Sequence, residues 1–343
     1  ALGREPSEST RTVERTATSS APFVGRARQL ALLDEALLDS RQAGVAVFVH
    51  AASGMGKSAL VARFLDRIGD RALVLAGRCY EREAVPFKTL DTLIDALTGA
   101  LLRLEPAQLA AVLPDDIAAL ARLFPVLRRI PAVAEPVTRR FQPADPVELR
   151  RRGFTALRIL LGRLTAVRPV VIAVDDLQWG DLDSAGFLVD LMVRSDRPAL
   201  LVVLVHRSED RDGPIVSFIQ RRASASTMLP DVRTIEVPPL ALDEATDLVA
   251  ALSGLPGGDG DWASGLVRDA GGNTLFLSEL ARSAATAGGA TTLDDLLRDR
   301  IARLPAPARA LLRACAVAAR PMSAEVVGRS EERRVGKECA TLC

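Results

Sequence analysis

The feature that most restricts the fold is Val45–Val49 followed by A-A-S-G-M-G-K-S over residues 51–58. Five apolar residues make a short buried strand, two glycines break it, and an amphipathic pattern from Lys57 to about Ile68 makes a helix. A glycine loop between strand and helix is a setting in which successive backbone N–H groups bind phosphate oxygens, helped by the helix dipole. On that reading the N–H groups of Ser53, Gly54, Met55, Gly56, Lys57, Ser58 and Ala59 wrap a phosphate chain. Lys57 reaches the β- and γ-phosphates, and the Ser58 hydroxyl ligates Mg²⁺. The full signature opens on Gly, where this chain has Ala51. The plainer alternative is an ordinary strand–turn–helix that uses glycine only to bend.

Composition bears on the lysine. The 44 basic residues include only three lysines, Lys57, Lys88 and Lys337. A lysine kept inside the loop of an arginine-dominated chain fits a site that needs a compact ammonium. Net charge is +1 and aromatics are 4%, so neither an overall basic field nor a stacking platform draws this segment to nucleic acid. The longest apolar run, Ala199–Val205, is far short of the ~18 residues of a membrane span. Cysteines at 79, 315, 339 and 343 have neither metal-ligand nor disulfide-framework spacing. These features predict a soluble, cytoplasmic protein with room for about two domains.

Residues 1–22, rich in Ser, Thr, Arg and Glu, read as a flexible linker; a first residue other than Met predicts that chain precedes it. Further short strands are expected at Leu73–Ala76, Val170–Val174, Leu200–Val205 and Arg233–Val237, with mostly helical patterns over 77–168. Short, doubly buried strands alternating with helices imply a parallel sheet in an α/β domain. After Pro238–Pro239 only helical patterns remain, which puts a domain boundary near residue 239.

The second chemical element is P-V-V-I-A-V-D-D-L-Q-W-G-D, residues 169–181. Its apolar run delivers Asp175 and Asp176 to the carboxyl end of a strand, where open α/β sheets bind ligands. Asp175 would hold Mg²⁺ through a water, and Asp176 would orient or deprotonate an attacking water. Helix-capping carboxylates are the alternative. The strand ending in His206–Arg207 brings Arg207 out on the same edge, as a γ-phosphate sensor or as a plain surface charge. His50 and His206 read as structural strand-end histidines.

With F-V-G-R-A-R-Q-L (23–30), D-D-L-Q-W-G-D-L-D-S (175–184), H-R-S-E-D and G-G-N-T-L-F-L-S-E-L (271–280) in this order, the chain resembles the AAA ATPase modules of STAND signalling proteins. The likeness is to the origin-recognition-like branch found in bacterial Ser/Thr kinases with tetratricopeptide repeats and in LuxR-type regulators. Residues 77–97 resemble the kinase-linked members. The resemblance implies a P-loop NTPase fold with a three-layer parallel sheet of order 5-1-4-3-2, a helical lid, and the start of a winged-helix domain. The expected divisions are 23–239 for the nucleotide domain, 240–290 for the lid and 291–328 for the truncated winged helix. Val24, Gly25 and Arg26 would line adenine and ribose, and Asn273 would close the nucleotide from the lid. Three positions depart from the pattern: Ala51, the missing acidic residue after Gly25–Arg26, and Thr274, where the family usually has Pro. Residues 329–343 break the pattern altogether and read as a translated sequencing adapter, the plainer alternative being a charged, solvated end of the chain.

The implied function is a slowly hydrolysing ATP–Mg²⁺ switch, cycling between ATP and ADP. A kinase domain would lie upstream and tetratricopeptide repeats or a helix-turn-helix downstream, with nucleotide-dependent homo-oligomerisation as a further expectation. The alternatives are the ATPase segment of a LuxR-type regulator and an oligomeric AAA⁺ motor with Arg194 as its finger. No membrane contact and no direct nucleic-acid contact are expected.

Overall fold

A computed structural model describes residues 22–81, 87–134, 145–194, 196–225, 231–253, 261–287 and 292–318. The linker 1–22 lies outside the described residues except for Pro22, and the tail 329–343 lies outside them entirely.

The chain runs α1 (Ala27–Asp39), β1 (Val45–Ala51), α2 (Lys57–Ile68), β2 (Leu73–Arg78), α3 (Lys88–Leu101), α4 (Pro106–Val112), α5 (Ile117–Leu123) and α6 (Pro146–Val167). It continues through β3 (Val170–Asp175), α7 (Leu182–Val193), β4 (Leu201–Arg207), α8 (Pro214–Ser224) and β5 (Asp231–Glu236). Five parallel strands form one sheet of order β2-β3-β4-β1-β5, the order implied by the resemblance. β1 lies between β4 and the edge strand β5, with Ala51 opposite Arg207 of β4 and His50 opposite Glu236 of β5.

Period-two alternation sends successive strand residues to opposite faces, and the helices cover both. Val45, Val47, Val49 and Ala51 join a core with Leu30, Leu33, Leu60 and Phe64 of α1 and α2. Ala46 and Phe48 face the other core, built with Leu90, Leu97, Leu157, Leu161 and Leu188 of α3, α6 and α7. On α3, Leu90, Leu93, Ile94, Leu97 and Leu101 share one face and are all buried. Prolines open α4, α6 and α8 at their first turn, where a missing N–H costs nothing.

Several strands run past their apolar cores. β1 continues through His50 to Ala51, β2 to Arg78, β3 to Asp175 and β4 to Arg207. Pairing with a neighbouring strand holds these polar ends extended although periodicity alone would release them.

The structure divides into two compact units. One contains Phe23–Leu240 together with Asn273–Leu275; the other contains Ala241–Gly272 and residues from Phe276 onward. The second is helical throughout its described residues: α9 (Leu242–Ser253), α10 (Asp261–Ala270), α11 (Thr274–Ala287), α12 (Leu293–Arg303) and α13 (Ala306–Ala318). Only the first residues of α11 belong to the first unit. Thr292 and Asp295 form a capping box that starts α12. Among the described residues no helix is long and apolar enough to cross a membrane.

Candidate functional site

Parallel strands place their carboxyl ends on one edge of the sheet. Ala51, Arg78, Asp175 and Arg207 therefore share that edge. The loop leaving β1 turns through Gly54 at φ 81° and Gly56 at φ 89°, conformations that side chains with a Cβ rarely adopt. Gly56 is the N-cap of α2 and brings no side chain to its first amides. The start of α2 thus offers backbone donors and a positive dipole end where phosphate oxygens could dock.

Lys57 begins this helix and is 8% exposed. Its ammonium donates to Ala51 O and Ala52 O, each at 2.9 Å. Burial pushes its pKa below the usual lysine range; Glu209 acts upward and Arg207 downward, with Asp175 and Asp176 also upward. One lysine thus feels charges at the ends of β3 and β4. Ala51 is the last residue of β1 and is buried, so the position where the signature has Gly is extended strand and needs no positive φ.

Asp175 ends β3, and its Oδ1 accepts from the N–H of Asp176 at 2.9 Å. Asp176 has φ 53°. Its Oδ2 accepts from Arg78 Nε at 2.9 Å and Nη2 at 2.6 Å, and its Oδ1 accepts from Gln178 Nε2 at 3.0 Å. Both oxygens of the second carboxylate are therefore engaged. The pairing with Asp176 holds the Arg78 guanidinium above its ordinary range. Arg207 lies between the loop strand and β3, with its guanidinium carbon 5.8 Å from the Trp179 ring centroid. Beyond it, Glu209 Oε1 accepts from Ser53 N–H at 3.3 Å.

Gly25 and Arg26 both have positive φ, 70° and 64°, in a turn that starts α1. Arg26 is buried and donates to Met55 O at 3.2 Å, so it touches the glycine loop itself; Val24 beside it is half-buried. Asn273 Nδ2 donates to Ser53 O at 3.0 Å. Thr274 Oγ1 donates to Gly54 O at 2.6 Å. Arg194, the finger candidate, bonds Asp196 at 3.1 Å.

The two histidines meet at the same edge. His50 and His206 stack with centroids 5.7 Å apart, and His50 Nδ1 lies 3.0 Å from Ser208 Oγ.

The donor set suits a hard, water-rich cation: the exposed Ser58 hydroxyl and the Asp175 carboxylate are both oxygen ligands. Among the described residues no group of three or more His, Cys, Asp or Glu could hold a metal ion. Mg²⁺ commonly keeps several waters and needs few protein ligands, so the pair fits it.

Sequence reasoning singled out neither Arg78, Glu209 nor Trp179. Arg78 lies two residues past the expected strand Leu73–Ala76, and Glu209 and Trp179 lie near Arg207 and Asp176 in the quoted motifs.

The AAA ATPase domain family matches residues 22–204. No curated protein matches the chain. Solved structures of similar fold include a Walker-type ATPase of Pyrococcus abyssi, with TM-score 0.49, 15% identity and coverage of 91% of this chain and 76% of that one. A signal transduction ATPase with numerous domains from Pyrococcus horikoshii, carrying a tetratricopeptide repeat sensor, has TM-score 0.46 and 13% identity. That match covers 90% of this chain but 37% of the other. Cdc6p of Pyrobaculum aerophilum has TM-score 0.46 and 14% identity, covering 79% of this chain and 65% of that one.

Proposed function

This chain belongs to the AAA ATPase domain family, and we propose that its glycine-loop site binds ATP with Mg²⁺ and hydrolyses it slowly, as a switch module within a longer signalling protein. The observation that carries this reading is one sheet edge: a left-handed glycine loop with buried Lys57, Asp175 two strands away, and Arg207 between them.

Backbone N–H groups from Gly54 to Ala59 and the Lys57 ammonium would take the phosphates, joined by the Ser53 N–H once it exchanges its bond to Glu209 for a phosphate oxygen. Ser58, and Asp175 through a water, would hold Mg²⁺, which when bound neutralises charge on the β- and γ-oxygens. Asp176 would orient the attacking water, and Arg207 would sense the γ-phosphate. Val24, Gly25 and Arg26 would border the nucleoside, and Asn273 would reach it from outside the loop. Slow turnover is supported by Asp176 itself, whose carboxylate is bonded on both oxygens to Arg78 and Gln178. Turning that carboxylate toward an attacking water would cost those bonds.

The domain reading follows the same line: a linker over 1–22, a nucleotide domain over 23–239, a helical lid over 240–290 and the start of a winged helix over 291–328. A Ser/Thr kinase domain upstream is the proposed input. Lys57→Ala tests the core of the proposal by calorimetry with ATP–Mg²⁺. Binding should be lost while circular dichroism and thermal unfolding stay close to the parent. Unchanged ATP affinity would exclude the site, and turnover rising steeply with protein concentration would favour the motor.

A further inference from the structure

The outward-facing groups of the glycine loop are occupied by one short segment. Asn273 Nδ2 donates to Ser53 O at 3.0 Å, while Gly54 O accepts from Thr274 Oγ1 at 2.6 Å and from Leu275 N at 3.0 Å. Leu275 N also donates to Asn273 Oδ1 at 3.1 Å, which fixes the amide of Asn273. These residues lie in the same compact unit as the loop. The fit is close at both glycines. A Cβ on Gly54 would come within 2.6 Å of Asn273 Oδ1, and one on Gly56 within 3.1 Å of Thr274 Oγ1.

The consequence is geometric. A trans peptide is planar, so its N–H points opposite to its C=O. With Ser53 O and Gly54 O fastened to the segment, the N–H groups of Gly54 and Met55 are turned the other way, away from it. Those are groups assigned above to phosphate binding. The bond from Thr274 particularises this chain, because the Pro usual at this position has neither a hydroxyl nor an N–H to give.

We propose that Asn273–Thr274–Leu275 is a clamp that sets the loop's peptide planes before nucleotide arrives, with the Thr274 hydroxyl as its positioning group. The proposal rests on the nucleotide reading for its purpose, but the clamp itself is measurable without nucleotide. Hydrogen exchange of the Leu275 amide, which donates to Gly54 O, and of the Ser53 amide, which donates to Glu209, is the primary readout in the nucleotide-free full chain. Thr274→Val, which keeps the shape and removes the hydroxyl, should speed exchange there by about three- to tenfold. Thr274→Ser should restore the parent rate. Dissociation of a fluorescent ADP should accelerate by a similar factor in Thr274→Val only. Should the valine variant fail to fold, Thr274→Ala gives the same comparison. Parent-like exchange in a folded Thr274→Val or Thr274→Ala protein overturns the clamp. Faster exchange in a chain that binds no nucleotide would keep the clamp and reject the nucleotide reading.

Discussion

Arg78 and Asp176 stand at the carboxyl ends of neighbouring strands, and two guanidinium N–H groups meet one carboxylate oxygen at 2.9 and 2.6 Å. The pair sits beside Asp175, so it ties the residue proposed to direct water to a fixed point of β2. Arg78 is 56% exposed along its side chain, so screening by solvent leaves the bridge worth at most about 1 kcal/mol of stability. Its effect is on the availability of Asp176 rather than on the fold.

Arg78→Ala should therefore raise the turnover of ATP by about twofold to fivefold, the counterpart of removing one exposed ion pair worth at most about 1 kcal/mol. KM for ATP should move little, since Arg78 is assigned no contact with the nucleotide. Steady-state phosphate release checks this. A fall in turnover would mean that Arg78 orients Asp176 for the reaction instead of restraining it.

Gly54 tolerates no side chain for two separate reasons. Its φ of 81° disfavours any residue with a Cβ, and the space is already filled by Asn273 and by Leu275 Cβ at 3.1 Å. Gly54→Ala should lower ATP affinity by about fivefold to a hundredfold, because about 1–3 kcal/mol of backbone strain falls on the peptides that bind phosphate. Thermal unfolding should shift by only a few degrees. Calorimetry showing parent affinity in Gly54→Ala would contradict the loop assignment.

What the sequence discloses here depends on the range of each interaction. β1, the glycine loop and α2 are local, and their apolar runs and glycines declare them directly. Ala51 departs from the loop signature as a tolerated variant, and as a buried strand residue it meets no conformational demand that alanine fails. Sheet order is not local; it came with the family resemblance and not from periodicity. Arg78 escaped notice because its partner is 98 positions away and becomes a neighbour only once β2 is placed beside β3. Thr274 looked like a loss relative to Pro, and its bond to Gly54, 220 positions away, is invisible without the fold. The stacked histidines likewise follow from the β1–β4 register, which puts His50 opposite His206.

Asp181 joins two helix starts. Its carboxylate accepts from Ser184 N at 2.8 Å and Ser184 Oγ at 2.6 Å at the start of α7. It also accepts from Phe87 N at 3.1 Å and from Thr89 N and Oγ1 at 3.4 Å at the start of α3. Asp181→Ala should cost about 2–3 kcal/mol, one N-cap plus donors left without a partner. Asp181→Asn keeps one acceptor oxygen and should recover about half. Urea unfolding of the three proteins checks the order, and an alanine variant as stable as the parent would reject the double cap.

His206 supplies a pH test. It is 1% exposed, its Nδ1 donates to Arg207 O at 2.9 Å, and its Nε2 has no hydrogen-bond partner among the described residues. Burial pushes its pKa below the ordinary 6.5 against the opposing bond to Arg207, and nearby His50, Lys57 and Arg211 push it further down. The unfolded chain therefore takes up a proton at higher pH than the folded one. This contribution to stability is full above about pH 6.5, declines as pH falls from there toward the folded pKa, and levels off below it. The slope for one such group is at most about 1.4 kcal/mol per pH unit. His50, also lowered by burial but offset by Glu236, adds a second contribution of the same sign. His206→Leu should flatten the fall in urea-unfolding stability between about pH 6.5 and 5, leaving only the part carried by His50 and the carboxylates. Identical acid slopes in parent and variant would mean that His206 titrates equally in both states, and would remove it as a source of acid sensitivity beside the nucleotide loop.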